Sequence, residues 1–97
     1  MSIRIISKEG CPYCQKARIL LDALNLPYTE VILSPNEKNY IVKRNKLFTY
    51  YNRNSYPIIV IQDTVVGGYT DLIDSYNNSS LHKMCLNIGL QVMYHPF

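Results

Sequence analysis

The sequence has too few cysteines for a structural framework and no long apolar run. Three cysteines in 97 residues cannot all pair within one chain, and their density is far below that of a small disulfide-stapled secreted scaffold. No window approaches the ~18 consecutive apolar residues of a membrane-spanning helix, so no membrane partner is expected. Repeats, low-complexity runs and linker-like stretches are also missing, which leaves no place for a domain boundary. Charge is sparse: 18% of the residues are Asp, Glu, Lys or Arg, and the formal net charge is +3. That balance can favour anionic ligands but is too small to argue a nucleic-acid partner. The first residues, MSIRIISKEGC, lack the apolar core and small-residue cleavage pattern of a secretory leader. A soluble protein of the reducing cytoplasm is therefore expected, where a close cysteine pair reads as redox-active or metal-binding.

What is present suits one compact domain over residues 1–97: 47% of the residues are hydrophobic, and the chain is too short for two domains. Ile3 to Ser7 is a β-branched run ended by Glu9-Gly10, as in a buried strand. Ala17, Leu20, Leu21 and Leu24 recur at helical spacing and mark one face of a helix that Pro27 prevents from continuing. Tyr28 to Leu33 has strand propensity. Ser34-Pro35-Asn36-Glu37 reads as an N-cap, a first-turn proline and a capping glutamate, predicting a second helix with Tyr40, Ile41, Leu47 and Phe48 on its buried side. Thr49 to Tyr56 shows no periodicity and reads as a loop closed by Pro57.

Ile58 to Ile61 and Thr64 to Val66 flank Gln62-Asp63 as the strands of a hairpin. Gly67-Gly68 ends the second of them, Tyr69 to Tyr76 suits a short helix, and Leu81, Met84, Cys85 and Ile88 form a last helical stripe ended by Gly89. A βαβ unit followed by a hairpin and terminal helices predicts an α/β fold: a four-stranded mixed sheet with helices on both faces.

Cys11-Pro12-Tyr13-Cys14 falls where the first strand gives way to the first helix. With Cys11 as N-cap, Pro12 takes the first helical position, where a missing N–H is harmless, and Cys14 the third. The helix then directs free N–H groups and its positive end at the Cys11 sulfur, which favours the nucleophilic thiolate. Lys8 can add a positive charge. Cys14, less exposed, is placed to attack a mixed disulfide formed on Cys11. A zinc site is the competing use, because His82 and Cys85 supply a second pair at ligand-like spacing. Against it, the first pair opens a helix, and Cys85 belongs to an apolar stripe that marks it as a core residue.

These residues resemble a dithiol glutaredoxin of the thioredoxin-fold superfamily. The resemblance covers roughly residues 1–76 and rests on Lys8, the CPYC motif, Pro57 opening the hairpin, and Gly67-Gly68-Tyr69-Thr70-Asp71. It implies a βαβαββα thioredoxin-like fold plus a C-terminal helix, and a cis Pro57. It also implies glutathione as co-substrate, with no resident metal, and partners that are glutathionylated or disulfide-containing proteins, with ribonucleotide reductase as one example.

Glutathione carries two carboxylates and one ammonium, so its site needs cations and an anion. By the resemblance, Asp71 meets the γ-glutamyl ammonium, and the N–H groups of Thr70 and Asp71 meet the neighbouring carboxylate. Gly67 and Gly68 permit close backbone approach. The residue before Pro57, here Tyr56, pairs through its backbone with the ligand's cysteine. Lys8 and Arg44 meet the glycine carboxylate, with Lys43 competing for Arg44's role, and Tyr13 flanks the ligand sulfur. Relatives generally carry Thr-Val-Pro where this chain has Ser55-Tyr56-Pro57, so a phenol replaces a small side chain in the groove. The tail, with Tyr94, His95 and Pro96, has no counterpart motif.

The expected activity is glutathione-dependent reduction of protein–glutathione mixed disulfides and protein disulfides, with Cys11 as nucleophile and Cys14 as resolving thiol. A glutaredoxin-like electron donor reduced by thioredoxin reductase is the nearer alternative. An iron–sulfur cluster held between two chains is a more distant one, and Pro12 stands where cluster-binding relatives generally have a small residue.

Overall fold

The β-branched run that begins the chain forms the centre of a sheet because both of its faces are apolar. In the computed structural model, which describes residues 2–93, it is strand β1 (Ile3–Lys8). Helix α1 (Pro12–Ala23) follows and returns the chain to β2 (Thr29–Leu33), which pairs parallel to β1 with Ile5 opposite Glu30. Helix α2 (Tyr40–Tyr51) leads to the hairpin β3 (Ile58–Ile61) and β4 (Thr64–Gly67), antiparallel to each other and, through β3, to β1. Helices α3 (Tyr69–Asn77) and α4 (Ser80–Asn87) complete the described chain. The sheet has four strands in the order β2-β1-β3-β4, the mixed arrangement that the order of elements predicts. The tail residues Tyr94, His95 and Pro96 lie outside the described residues.

Strand alternation divides the core in two. Ile3 and Ile5 of β1 and Ile59 and Ile61 of β3 face α1, α3 and α4, meeting Ala17, Leu21, Leu72, Leu81 and Cys85. Ile6, Ile58 and Val60 face the other way, with Leu33, and are covered by Tyr40, Leu47, Phe48 and Tyr51 of α2. One polar cluster lies under α1: Glu30 Oε2 accepts from the buried Ser7 hydroxyl at 2.6 Å and pairs with Arg18 Nη1 at 2.5 Å.

Helix α2 departs from the sequence expectation at both ends. Ser34 to Asn39 form turns, not a helix start, with Glu37 N–H donating to the Ser34 carbonyl at 3.0 Å. The Glu37 carboxylate is taken by Lys43 Nζ at 2.7 Å and does not cap the chain. The helix begins at Tyr40 behind Asn39, whose side chain makes no capping bond.

At its other end α2 runs through Tyr51, inside the segment expected to be a loop, because Phe48 and Tyr51 pack on the sheet. Asn52 stops it in the left-handed conformation, φ 55°. There the Asn52 N–H donates to the Thr49 carbonyl and the Arg53 N–H to the Phe48 carbonyl, a Schellman closure. Ile41, expected on the buried side, is 53% exposed. It lies within about 20° of Phe48 around the helix but about 80–120° from Tyr51, Tyr40 and Leu47, at the outer edge of the contacting stripe.

Candidate active site

Cys11 caps α1 with extended backbone angles, φ −92° and ψ 110°, and its Sγ accepts the Cys14 N–H at 3.2 Å. Pro12 fills the first helical position. Cys11 is half-buried and Cys14 completely buried, so the two sulfurs differ in access although only two residues separate them. They are joined in a disulfide, with Cα atoms 5.3 Å apart. The structure is thus the oxidised form of a pair that can exchange two electrons through Cys11.

Beside this pair lies a groove of about 220 Å³. It brings together Tyr13, Tyr56, Pro57, Gly68, Thr70 and Asp71, residues far apart in sequence that the resemblance assigns to one site. The Tyr56–Pro57 peptide is cis. The Gly67-Gly68 turn lies against this loop: a Cβ built on Gly68 would stand 3.7 Å from the Pro57 carbonyl oxygen. Gly67 has φ +122°, and a Cβ there would overlap the Asp71 carboxylate, so glycine is required on both counts.

Asp71 is the third residue of α3; its Oδ2 accepts the Gly68 N–H at 2.8 Å and pairs with Arg53 Nη2 at 3.3 Å. The first N–H groups of α3 have no partner inside the helix and border the same groove. Arg53, Ser55 and Tyr69 also line it; the sequence reading has Ser55 and Tyr69 only as members of its motifs, with no role of their own, and does not name Arg53. The missed signal for Arg53 is Asn52, a residue type that tolerates the left-handed position closing a helix. Reading Asn52 as the end of α2 would have placed Arg53 at the start of the loop beside Pro57.

Lys8 and Arg44 do not line this groove; they are reached through a row of aromatic rings. Lys8 Nζ stands 5.8 Å from the centre of the Tyr56 ring. The Tyr56 hydroxyl is 3.0 Å from that of Tyr40, and the Arg44 guanidinium lies 5.8 Å from the Tyr40 ring. Burial, and then the hydrogen bond with Tyr40, hold the Tyr56 phenol well above the ordinary tyrosine range. Lys43, Arg44's competitor, is engaged with Glu37 on the exposed side of α2.

The second pair of the zinc reading is placed differently. Cys85 is fully buried among apolar side chains, and burial pushes its thiol up. The His82 ring packs 5.5 Å from that of Tyr76. Among the described residues no group of three or more His, Cys, Asp or Glu side chains is arranged to hold a metal ion, and no helix is long and apolar enough to cross a membrane.

A family model described as Glutaredoxin matches residues 3–66. The chain belongs to the glutaredoxin family. Among its relatives, glutaredoxin 1 of Rickettsia bellii is 36% identical over 84 residues, covering 86% of this chain and 85% of the relative. Glutaredoxin 3 of Escherichia coli is 31% identical over 71 residues, covering 73% and 81%. Among solved structures, the oxidised glutaredoxin 2 of Chlamydomonas reinhardtii superposes with a TM-score of 0.77 at 28% identity, covering 91% of this chain and 82% of that one. A buckwheat glutaredoxin–glutathione complex superposes with a TM-score of 0.81 at 21% identity, covering 93% and 81%, and shows the shared fold. Family membership and the Cys11–Cys14 pair make this glutaredoxin a thiol–disulfide oxidoreductase with a thioredoxin-like fold.

Proposed function

We propose that this glutaredoxin is a single domain over residues 1–97 that draws its electrons from glutathione and reduces glutathionylated and disulfide-bonded proteins in the cytoplasm. The observation that carries this reading is the groove beside Cys11, in which a carboxylate, Asp71, lies with a cation, Arg53, at the N-terminus of α3. A γ-glutamyl end, with its ammonium and a carboxylate on one carbon, matches that charge pattern. The γ-glutamyl ammonium is assigned to Asp71 and its carboxylate to the N–H groups of Thr70 and Asp71, with Arg53 as an added cation. The backbone of Tyr56, before Pro57, pairs with the ligand's cysteine. Gly68 keeps the opposite wall low, and Tyr13 flanks the sulfur. The glycine carboxylate is assigned to Lys8 and Arg44, at the two ends of the Tyr56–Tyr40 row. The glutathione bound by the buckwheat protein supports the same choice of ligand.

The cycle begins with the Cys11 thiolate, favoured by the helix N-terminus, attacking the glutathione sulfur of a protein mixed disulfide. The protein thiolate leaves and takes a proton, and glutathione remains disulfide-bonded to Cys11. The thiolate of a second glutathione attacks that bond, releasing oxidised glutathione and restoring Cys11. With a protein disulfide, Cys11 forms a mixed disulfide with the substrate, and Cys14 displaces the second substrate thiol. The Cys11–Cys14 bond so formed is reduced by two glutathione molecules.

The deciding test offers the oxidised protein either glutathione with glutathione reductase, or thioredoxin reductase, and follows NADPH consumption on a glutathionylated peptide. Turnover with glutathione is expected. Turnover with thioredoxin reductase alone would replace this reading, with ribonucleotide reductase among the disulfide substrates to assay in either case.

A further inference from the structure

Next to the thiol groove, and sharing Tyr69 with it, a second depression of about 260 Å³ runs between α1 and α3. Leu20, Ala23 and Ile73 form its wall and the 59% exposed Ile19 its rim. The volume suits one large apolar side chain. Lys16 is the one charged residue among the described residues that line it. Its Nζ lies 4.8 Å from the centre of the Tyr13 ring and 6.0 Å from that of Tyr69, so it sits on the ridge between the two grooves.

We infer that this second groove docks the polypeptide of a disulfide substrate, taking an apolar side chain three or four residues from the substrate's reactive cysteine and an acidic side chain at Lys16. Cys11 caps the helix that carries Ile19, and at 1.5 Å per residue that separation is about 12 Å along the axis. An extended segment covers such a distance in about three to four residues. Continuity with the thiol site through Tyr69, and the positive charge at the rim, favour an acidic–apolar polypeptide over a second copy of this chain. The inference rests on thiol exchange at Cys11 and does not depend on glutathione as reductant.

The test is single-turnover exchange between the fully reduced protein and synthetic peptide disulfides, read by rapid-quench mass spectrometry. A peptide with leucine at the third or fourth position from its cysteine should react about tenfold faster than its alanine counterpart, as burial of a leucine side chain warrants. Aspartate beside that leucine should outpace lysine by about threefold, and Lys16→Glu should reverse this order. Ile19→Glu, on an exposed rim position, should abolish the leucine preference while leaving exchange with hydroxyethyl disulfide unchanged. Equal rates on leucine and alanine peptides, or equal loss on the peptide and on hydroxyethyl disulfide, would overturn the proposal. So would a concentration-dependent dimer in sedimentation that Ile19→Glu dissociates, because the groove would then hold a second copy. Dependence of steady-state turnover on glutathione is measured separately, so that reading and this one fail in different experiments.

Discussion

Three cysteines of the same chemistry have three environments, and the environments set their reactivity. Cys11 is half-buried at a helix start, Cys14 is buried beneath it, and Cys85 lies in the core with its thiol raised by burial. With reduced protein at neutral pH, a limiting amount of iodoacetamide should label Cys11 first, and Cys85 only after unfolding; peptide mapping reads this out. Cys11→Ser should drop both deglutathionylation and disulfide reduction to background, whereas Cys14→Ser should lose only the second. Two kinetic assays on the same preparations separate these outcomes.

Tyr56 makes a prediction of its own. Its phenol titrates above the ordinary value of 10.0 because the neutral form is buried and bonded to Tyr40. The stability this pair contributes is therefore fully present below pH 10.0 and is lost as pH rises through the folded-state value. Denaturant melts of the wild type and Tyr40→Phe should differ by about 1 kcal/mol at neutral pH, and the difference should narrow in strong alkali.

Among the secondary-structure elements, α1 was legible because its signals are local. Pro12 at the first helical position and the spacing of Ala17, Leu20 and Leu21 place both its start and its buried face. The bounds of α2 were not legible, because distant partners decide them. Lys43 removes Glu37 from the capping role, and the sheet holds Phe48 and Tyr51 in helix past the point where polar residues suggest a loop. Arg53 was lost with that boundary.

The turn between β4 and α3 was legible through Gly67-Gly68, but what makes glycine necessary there is the Asp71 carboxylate folded back over Gly67. Gly67→Ala should cost about 1–3 kcal/mol in stability, from the positive φ and the overlap. If the proposed glutathione contacts hold, it should also raise the KM for glutathione more than it lowers kcat. Thermal melts and steady-state kinetics check the two parts.

Across the whole molecule, a sheet covered on both faces carries Cys11 at the junction of β1 and α1, with α1 anchored on the larger core. Leu21→Ala, at a fully buried position in that core, should cost about 2–5 kcal/mol by denaturant melts. The cluster of Ser7, Arg18 and Glu30 joins β1, α1 and β2 below the thiol pair. Glu30→Ala strips the acceptor from two donors and should cost about 1–3 kcal/mol. Four strands and helices on both faces follow from the order of apolar runs, whereas the contact of the cis-proline loop with the start of α3 is a product of tertiary folding.

The most direct measurement of the central claim is the site at which glutathione becomes attached. Reduced Cys14→Ser protein is incubated with oxidised glutathione at neutral pH and mapped by peptide mass spectrometry. The account predicts one glutathione per chain, disulfide-bonded to Cys11 and released by added reduced glutathione. Attachment at Cys85, or no adduct on Cys11, would contradict it.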